Sequence, residues 1–309
     1  MSVAEAQPRV APPALLPGAC VGIVAPAGAV NRDEVEGGIA RLEAAGFRVR
    51  LGRALWARFG YFAGTDEERA RDLVELFLDP AVDAVFAARG GYGCARLLPL
   101  LDPRVLRSHA KIFVGSSDCT ALLQFLVDHC GIVAFHGPVV SALARRQQAL
   151  DGLLEVLAGR ARRVLALPRS LRRGEGEGVL RGGCLSILTS LLGTPFAPKL
   201  ERTIWFFEDV NEKPYRIDRM LTQWSQAGLW HGTTGVLWGE MVGCTGPEGS
   251  WDVWDVVARH TDPLGVPVAG EVPSGHGTGI LTLPLGVRAR LADDRLEFLE
   301  PWVAARSAA

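Results

Sequence analysis

Lys111-Ile112-Phe113-Val114-Gly115-Ser116-Ser117-Asp118-Cys119-Thr120-Ala121-Leu122-Leu123-Gln124-Phe125 reads as a short apolar strand, a polar turn over Gly115 to Asp118, and a helix. A serine on such a strand-to-helix turn stands at the edge of a sheet, with backbone N–H groups of the following turn directed toward it. That geometry suits a nucleophile beside an oxyanion hole. The same residues have a plainer reading, in which Ser117 or Asp118 caps the helix by accepting from its first N–H groups. The turn does not match G-x-S-x-G, so the motif does not choose between them. Cys119, two residues past Ser117, is a rival nucleophile, but it falls inside the start of the helix.

Upstream, Cys20 to Gly28 is a compact apolar run ended by Pro26 and Gly28, as expected of a buried parallel strand. Arg32 to Ala45 follows with Val35, Ile39, Leu42 and Ala45 on one helical face, and Gly46 to Leu51 reads as a second strand. This β-α-β order argues for a parallel sheet covered by helices. Thr65 and Glu68 form a capping box for a helix that runs to about Leu78. Ala84 to Ala88 is a further strand, and it runs into Arg89-Gly90-Gly91-Tyr92-Gly93. The glycines lack the third position of a dinucleotide fingerprint, where Arg96 stands, so a second oxyanion donor is the better use of this loop. Arg89 reads equally as a bidentate clamp for a substrate carboxylate and as a structural ion pair. Gly131 to Phe135 gives another strand, followed by His136, which reads as a residue that bonds its turn sooner than as a base.

Residues 1–160 therefore form an expected N-terminal α/β domain, 161–179 a basic and glycine-rich connector containing a short strand at Val164 to Leu167, and 180–309 a second, β-rich domain. In the latter, Gly182-Gly183 precedes an expected helix over Cys184 to Leu192. Thr203 to Phe207 is an apolar strand running into Glu208-Asp209, which reads as a buried carboxylate or as a solvated turn. Pro214 to Gln226 and Trp251 to Arg259 read as helices, and the alternation from Leu281 to Phe298 as closing antiparallel strands. His276 lies in a loop between Gly275 and Gly277, free of bulky neighbours. Ser117, Glu208 and His276 each stand at a strand end or loop, in the order Ser…Glu…His.

The 309 residues are 48% hydrophobic and 22% charged with a net charge of −1, which describes an ordinary globular chain and gives no reason to expect nucleic acid as a partner. The six cysteines form no C-x-x-C pair and sit mostly in apolar runs, as reduced, buried thiols do. That spacing offers no zinc site. Met1 to Pro17 lacks the basic and apolar regions of a secretory signal, and no run approaches the length of a membrane span; a cytoplasmic location is expected.

Taken together, these blocks resemble the LD-carboxypeptidase family of serine peptidases, which includes murein tetrapeptide carboxypeptidases and microcin C self-immunity proteins. The resemblance runs from about Pro17 to Leu299. It is carried by Gly22 to Pro26, Ala63 to Arg69, Arg89 to Gly93, Gly115 to Asp118, His136 to Pro138, Phe207 to Asp209, Tyr215 to Leu221, Gly275-His276 and Leu283 to Gly286, in that order.

The resemblance implies an α/β N-terminal domain with a parallel sheet, a smaller β-rich C-terminal domain, and an active site between them. It implies Ser117 as nucleophile, His276 as base, Glu208 as the residue that orients His276, and the backbone N–H groups of Asp118 and Gly91 as oxyanion hole. It also implies release of the terminal D-alanine from murein tetrapeptides, no metal or organic cofactor, and a homodimer. The rival within the family is self-immunity by cleavage of a microcin-like aminoacyl nucleotide; outside enzymes, it is a sugar or peptide binder on the same scaffold. For a nucleotide conjugate, Trp205, Trp224, Trp230 and Trp238 would be either stacking platforms or core residues. Three positions depart from the family pattern: Ser116 stands where an aromatic is usual, Cys184 where Asn is, and Gly277-Thr278-Gly279 lacks the usual Pro-Asn.

Overall fold

A computed structural model describes residues 9–278 and 281–305; the readings made above on residues 1–8 and on Gly279 lie outside the described residues. The strands are β1 (Cys20–Val24), β2 (Arg48–Leu51), β3 (Ala84–Ala87), β4 (Ile112–Gly115), β5 (Ala134–His136), β6 (Val164–Ala166), β7 (Arg169–Arg172), β8 (Glu175–Cys184), β9 (Thr203–Val210), β10 (Thr233–Val242), β11 (Val268–Gly270), β12 (Leu283–Leu285), β13 (Arg288–Ala292) and β14 (Arg295–Phe298). The chain divides into two compact units. One takes residues 9–161, 281–285 and 301–305, the other residues 162–278 and 286–300.

The first unit holds a six-stranded sheet in the order β12-β5-β4-β3-β1-β2. Its first five strands pair in parallel, and β12 adds antiparallel to β5. β1, β3 and β4 are buried at every position, which is what helices on both faces of a parallel sheet demand. The helix Asp66–Leu78 opens with the Thr65–Glu68 capping box, and Asn31 caps Arg32–Ala44 by accepting from Glu34 N–H. The strand order 2-1-3-4-5 reverses between β1 and β3, and the crevice outside the carboxyl ends of the strands at such a reversal is where open α/β sheets bind ligands. The loops that follow β1, β3 and β4 are those carrying Gly28, Gly90-Gly91 and Ser117.

The second unit holds an eight-stranded sheet in the order β6-β14-β13-β8-β9-β10-β11-β7. Its centre, β8 to β11, is parallel, and the flanking strands are antiparallel. The helices Leu185–Ser190, Pro214–Gln226 and Val253–Thr261 pack on one face, where Trp205, Phe207, Trp224 and Trp238 are buried together. The rings of Trp205 and Phe207 each meet Trp224 edge-on at 5.0 Å between centroids. These indoles are core, so Trp205, Trp224 and Trp238 offer no exposed stacking platform.

Several stretches differ from their sequence reading. Residues 161–179, expected as a connector, supply β6, β7 and the start of β8, where Gly176 and Gly178 leave room for the Thr234 and Arg202 carbonyls. Gly182 and Gly183 lie within β8, so the following helix begins at Leu185; at Gly182 (φ 137°) a Cβ would fall 1.8 Å from the Phe206 carbonyl oxygen. The closing strands are antiparallel as read, but they divide: Leu283–Leu285 pairs with β5 in the first unit, and β13 and β14 form a hairpin in the second. β5 starts at Ala134, because left-handed Gly131 (φ 62°) ends the preceding helical turn and Ile132 bridges Val10.

Trp224→Ala would remove the ring on which Trp205 and Phe207 close, and with it the indole N–H bond to Thr189 Oγ1 at 2.9 Å. A loss of about 3–5 kcal/mol is expected, read as a lower urea midpoint.

Candidate active site

β4 ends at Gly115, and Ser117 then takes φ 58°, a left-handed conformation unusual for a residue with a side chain. Holding a serine there costs about 1–3 kcal/mol, so surrounding contacts must enforce it. One such contact is Gly90, where a Cβ would lie 2.8 Å from Ser117 Cβ and 3.0 Å from its Oγ; only glycine lets the two turns approach this closely. Another is Asp118, whose buried carboxylate accepts the Cys94 N–H at 2.8 Å and ties the serine turn to the end of the glycine loop. Neither Ser117 nor Asp118 caps the helix Thr120–Phe125 through its side chain. Cys119 is fully buried with its thiol toward the Arg89 carbonyl at 3.8 Å.

The glycine loop is held in turn. The Gly90 carbonyl accepts Gly28 N–H at 3.2 Å, so across the planar trans peptide the Gly91 N–H points away from Gly28. At Gly91 (φ 114°) a Cβ would sit 3.2 Å from both Gly28 Cα and N. Arg89 donates to the Ala29 carbonyl at 2.8 Å, a backbone contact and not the ion pair offered as its structural reading. Buried Arg69 donates to the carbonyls of Pro26 and Gly93 and pairs with Asp66, fastening the ends of β1 and of the glycine loop. His136 is buried within β5, between Gly115 of β4 and Leu283 of β12.

In the second unit Glu208 lies inside β9, not after it, and has no exposed surface. Strand alternation turns Trp205, Phe207 and Asp209 toward the helices and Glu208 to the opposite face. There His276 Nδ1–H donates to Glu208 Oε2 at 2.6 Å. Gly275 (φ 144°) makes this contact sterically feasible: a Cβ there would lie 2.9 Å from Glu208 Oε2 and 3.2 Å from Glu208 Cβ. Because a carboxylate only accepts, the proton of neutral His276 sits on Nδ1 and Nε2 keeps its lone pair. Asp209 accepts the Ser186 N–H at 2.8 Å, and its burial pushes its carboxyl above the usual range.

The comparisons with known proteins concern both units. Residues 21–137 match the LD-carboxypeptidase N-terminal domain and residues 177–291 the LD-carboxypeptidase C-terminal domain. The chain belongs to the LD-carboxypeptidase family. The murein tetrapeptide carboxypeptidase of Pseudomonas aeruginosa is 33% identical over 90% of this chain and 94% of that protein. The solved muramoyltetrapeptide carboxypeptidase of Oxalobacter formigenes is 29% identical, with a TM-score of 0.82 over 93% of this chain and all of that one. The microcin C7 self-immunity protein MccF of Escherichia coli is 26% identical over 87% of this chain and 88% of that protein.

Against this family background, Ser116 is an extended residue (φ −150°) ahead of the serine turn. Cys184 ends β8 in register with Glu208, its Sγ 3.3 Å from Ser186 Oγ and 3.6 Å from Asp209 Oδ1. Burial pushes that thiol well above its ordinary range, so it is a neutral neighbour of the carboxylates. Sequence reasoning missed Gly90 as the residue that lets the serine turn close, and it missed Glu240, whose Oε2 accepts Gly277 N–H at 2.9 Å.

Burial by itself depresses the His276 pKa, but the hydrogen bond and charge of Glu208, with the charges of Asp209 and Glu240, outweigh it and leave the pKa raised. Protonated His276 therefore contributes stability that is complete below the unfolded value of about 6.5 and is lost as pH rises through the folded value. Proton NMR of the imidazole should show His276 titrating above an ordinary histidine, and Glu208→Gln should bring the midpoint down.

Proposed function

We propose that this member of the family is a serine LD-carboxypeptidase that releases the terminal D-alanine of murein tetrapeptides in cell-wall recycling, with Ser117, His276 and Glu208 as its triad. The observation that supports this most is the 2.6 Å bond between His276 Nδ1 and a Glu208 that is wholly out of solvent. It sets the tautomer a general base needs and stabilises the imidazolium formed when that base takes a proton. The strained Ser117 turn and the identity to the murein tetrapeptide carboxypeptidase support the nucleophile and the substrate class.

In this mechanism His276 Nε2 takes the Ser117 hydroxyl proton as Oγ attacks the carbonyl between the L-centre of diaminopimelate and D-alanine. The Asp118 and Gly91 N–H groups bind the oxyanion. Removing one such donor is worth about 10²–10³ in rate. His276 returns the proton to the leaving amine, D-alanine departs, and a water activated by the same imidazole frees the acyl-enzyme. Arg89 pairs with the terminal carboxylate of the substrate, exchanging its Ala29 contact for a bidentate one. No metal or organic cofactor takes part in these steps. A homodimer in the cytoplasm completes the proposal.

Incubating L-Ala-γ-D-Glu-diaminopimelate-D-Ala with the protein and following mass should show loss of D-alanine. Ser117→Ala should lower turnover on the order of 10⁴–10⁶-fold. Equal cleavage by both proteins rejects Ser117, and cleavage by neither rejects the tetrapeptide in favour of an aminoacyl nucleotide.

A further inference from the structure

β10 carries an irregularity opposite the Glu208 position. Trp238 pairs with Phe207 and Met241 with Asp209, so Gly239 and Glu240 together face the single residue Glu208. An extra residue in a strand reverses the alternation beyond it. Trp238 and Met241, an odd number of residues apart, accordingly both pack toward the helices, and Glu240 is left on the face of Glu208 and His276.

The loop that carries His276 is gripped at two points by this bulge. Glu240 N–H donates to the Ser274 carbonyl at 3.1 Å, and Glu240 Oε2 accepts Gly277 N–H at 2.9 Å. The grips fall two residues before His276 and one residue after it. Glycine leaves the room this contact uses: a Cβ on Gly277 would push on the Glu240 carboxylate, 2.5 Å from Oε1, and one on Gly239 would meet the Ser274 backbone oxygen at 2.4 Å.

We propose that Glu240 is a second positioning carboxylate for His276, holding the backbone of its loop while adding negative charge to its surroundings. The inference rests on the role of His276 as general base. Among the described residues, the ionisable groups that act on the imidazole include Glu208 and Asp209 from β9 and Glu240 from β10, with the neutral Cys184 thiol at the end of β8 in register with Glu208. Glu271, on the same loop, is engaged by Arg169 at 2.8 Å. Glu208 fixes the ring, and Glu240 fixes the chain to which the ring is attached. Its charge, like that of Glu208, favours imidazolium.

Two variants separate the two effects. Glu240→Gln keeps an oxygen for Gly277 N–H and loses the charge; Glu240→Ala loses both. Glu240→Gln is expected to move the imidazole titration of His276, and the acid limb of kcat/KM on the tetrapeptide, to lower pH. Glu240→Ala is expected to show the same displacement and, in addition, a fall in kcat of about 10–100-fold, as for a catalytic group set slightly out of place. His276→Asn assigns the NMR signal. An unmoved His276 titration in Glu240→Gln, or a kcat in Glu240→Ala equal to that of Glu240→Gln, overturns the inference. The titration needs no turnover, so inactivity of the wild-type protein on the tetrapeptide rejects the proposed substrate while the imidazole shift still decides the role of Glu240.

Discussion

A carboxylate with no exposed surface in the interior of a parallel strand is expensive unless something pairs with it, and the Glu208–His276 bond is what makes this one tenable. Much of the second unit follows from that constraint. The imidazole must reach a strand interior from a loop, so the loop must lie directly on the sheet. Gly275 and Gly277 on the loop, and Gly239 on the sheet, are the places where any side chain would hold the two apart. The opposite face of the same strands is closed by interlocking Trp and Phe rings, a stiff apolar layer beneath the polar one. The bond also raises the proton affinity of the ring that Glu208 orients.

The first unit meets a similar demand by different means. Its strained residue is Ser117, and the strain is borne by neighbours that cannot move away: Gly90 in van der Waals contact, Asp118 bonded to the Cys94 N–H, and Arg69 binding the ends of two loops. Each of these belongs to a block through which the chain resembles its family, so those blocks have a mechanical reading. The glycines allow close approach, the buried Arg and Asp saturate carbonyl and N–H groups that the turns leave open, and the serine is displayed as the result.

Much of this was legible in the linear pattern. The β-α-β order, the buried strands, the Thr65 capping box and the strand–turn–helix at Ser117 all depend on neighbours within a few residues, and all are seen. So is the core role of Trp205, Trp224 and Trp238, one of the two readings available for them. Less legible were stretches whose composition misleads. Residues 161–179 look like a charged connector, yet they pair as strands, because glycines let the chain lie flat against its neighbours and Glu177 finds Arg290 on the adjoining strand. Glu208 and Asp209 look like a strand's exit but lie within the strand, one satisfied on each face.

Periodicity and turn chemistry are local quantities, and they were enough to specify the fold class, the elements of the first unit and the residues worth watching. Long-range register is not local, and three features rest on it. Leu283–Leu285 leaves its sequence neighbours to pair with β5, since strand partners are chosen by exposed backbone groups and not by proximity in sequence. Gly90 must be glycine because of Ser117, 27 positions along the chain. Glu240 faces His276 because one extra residue in β10 inverts the alternation, where a strict period of two would have turned it toward the helices with Trp238.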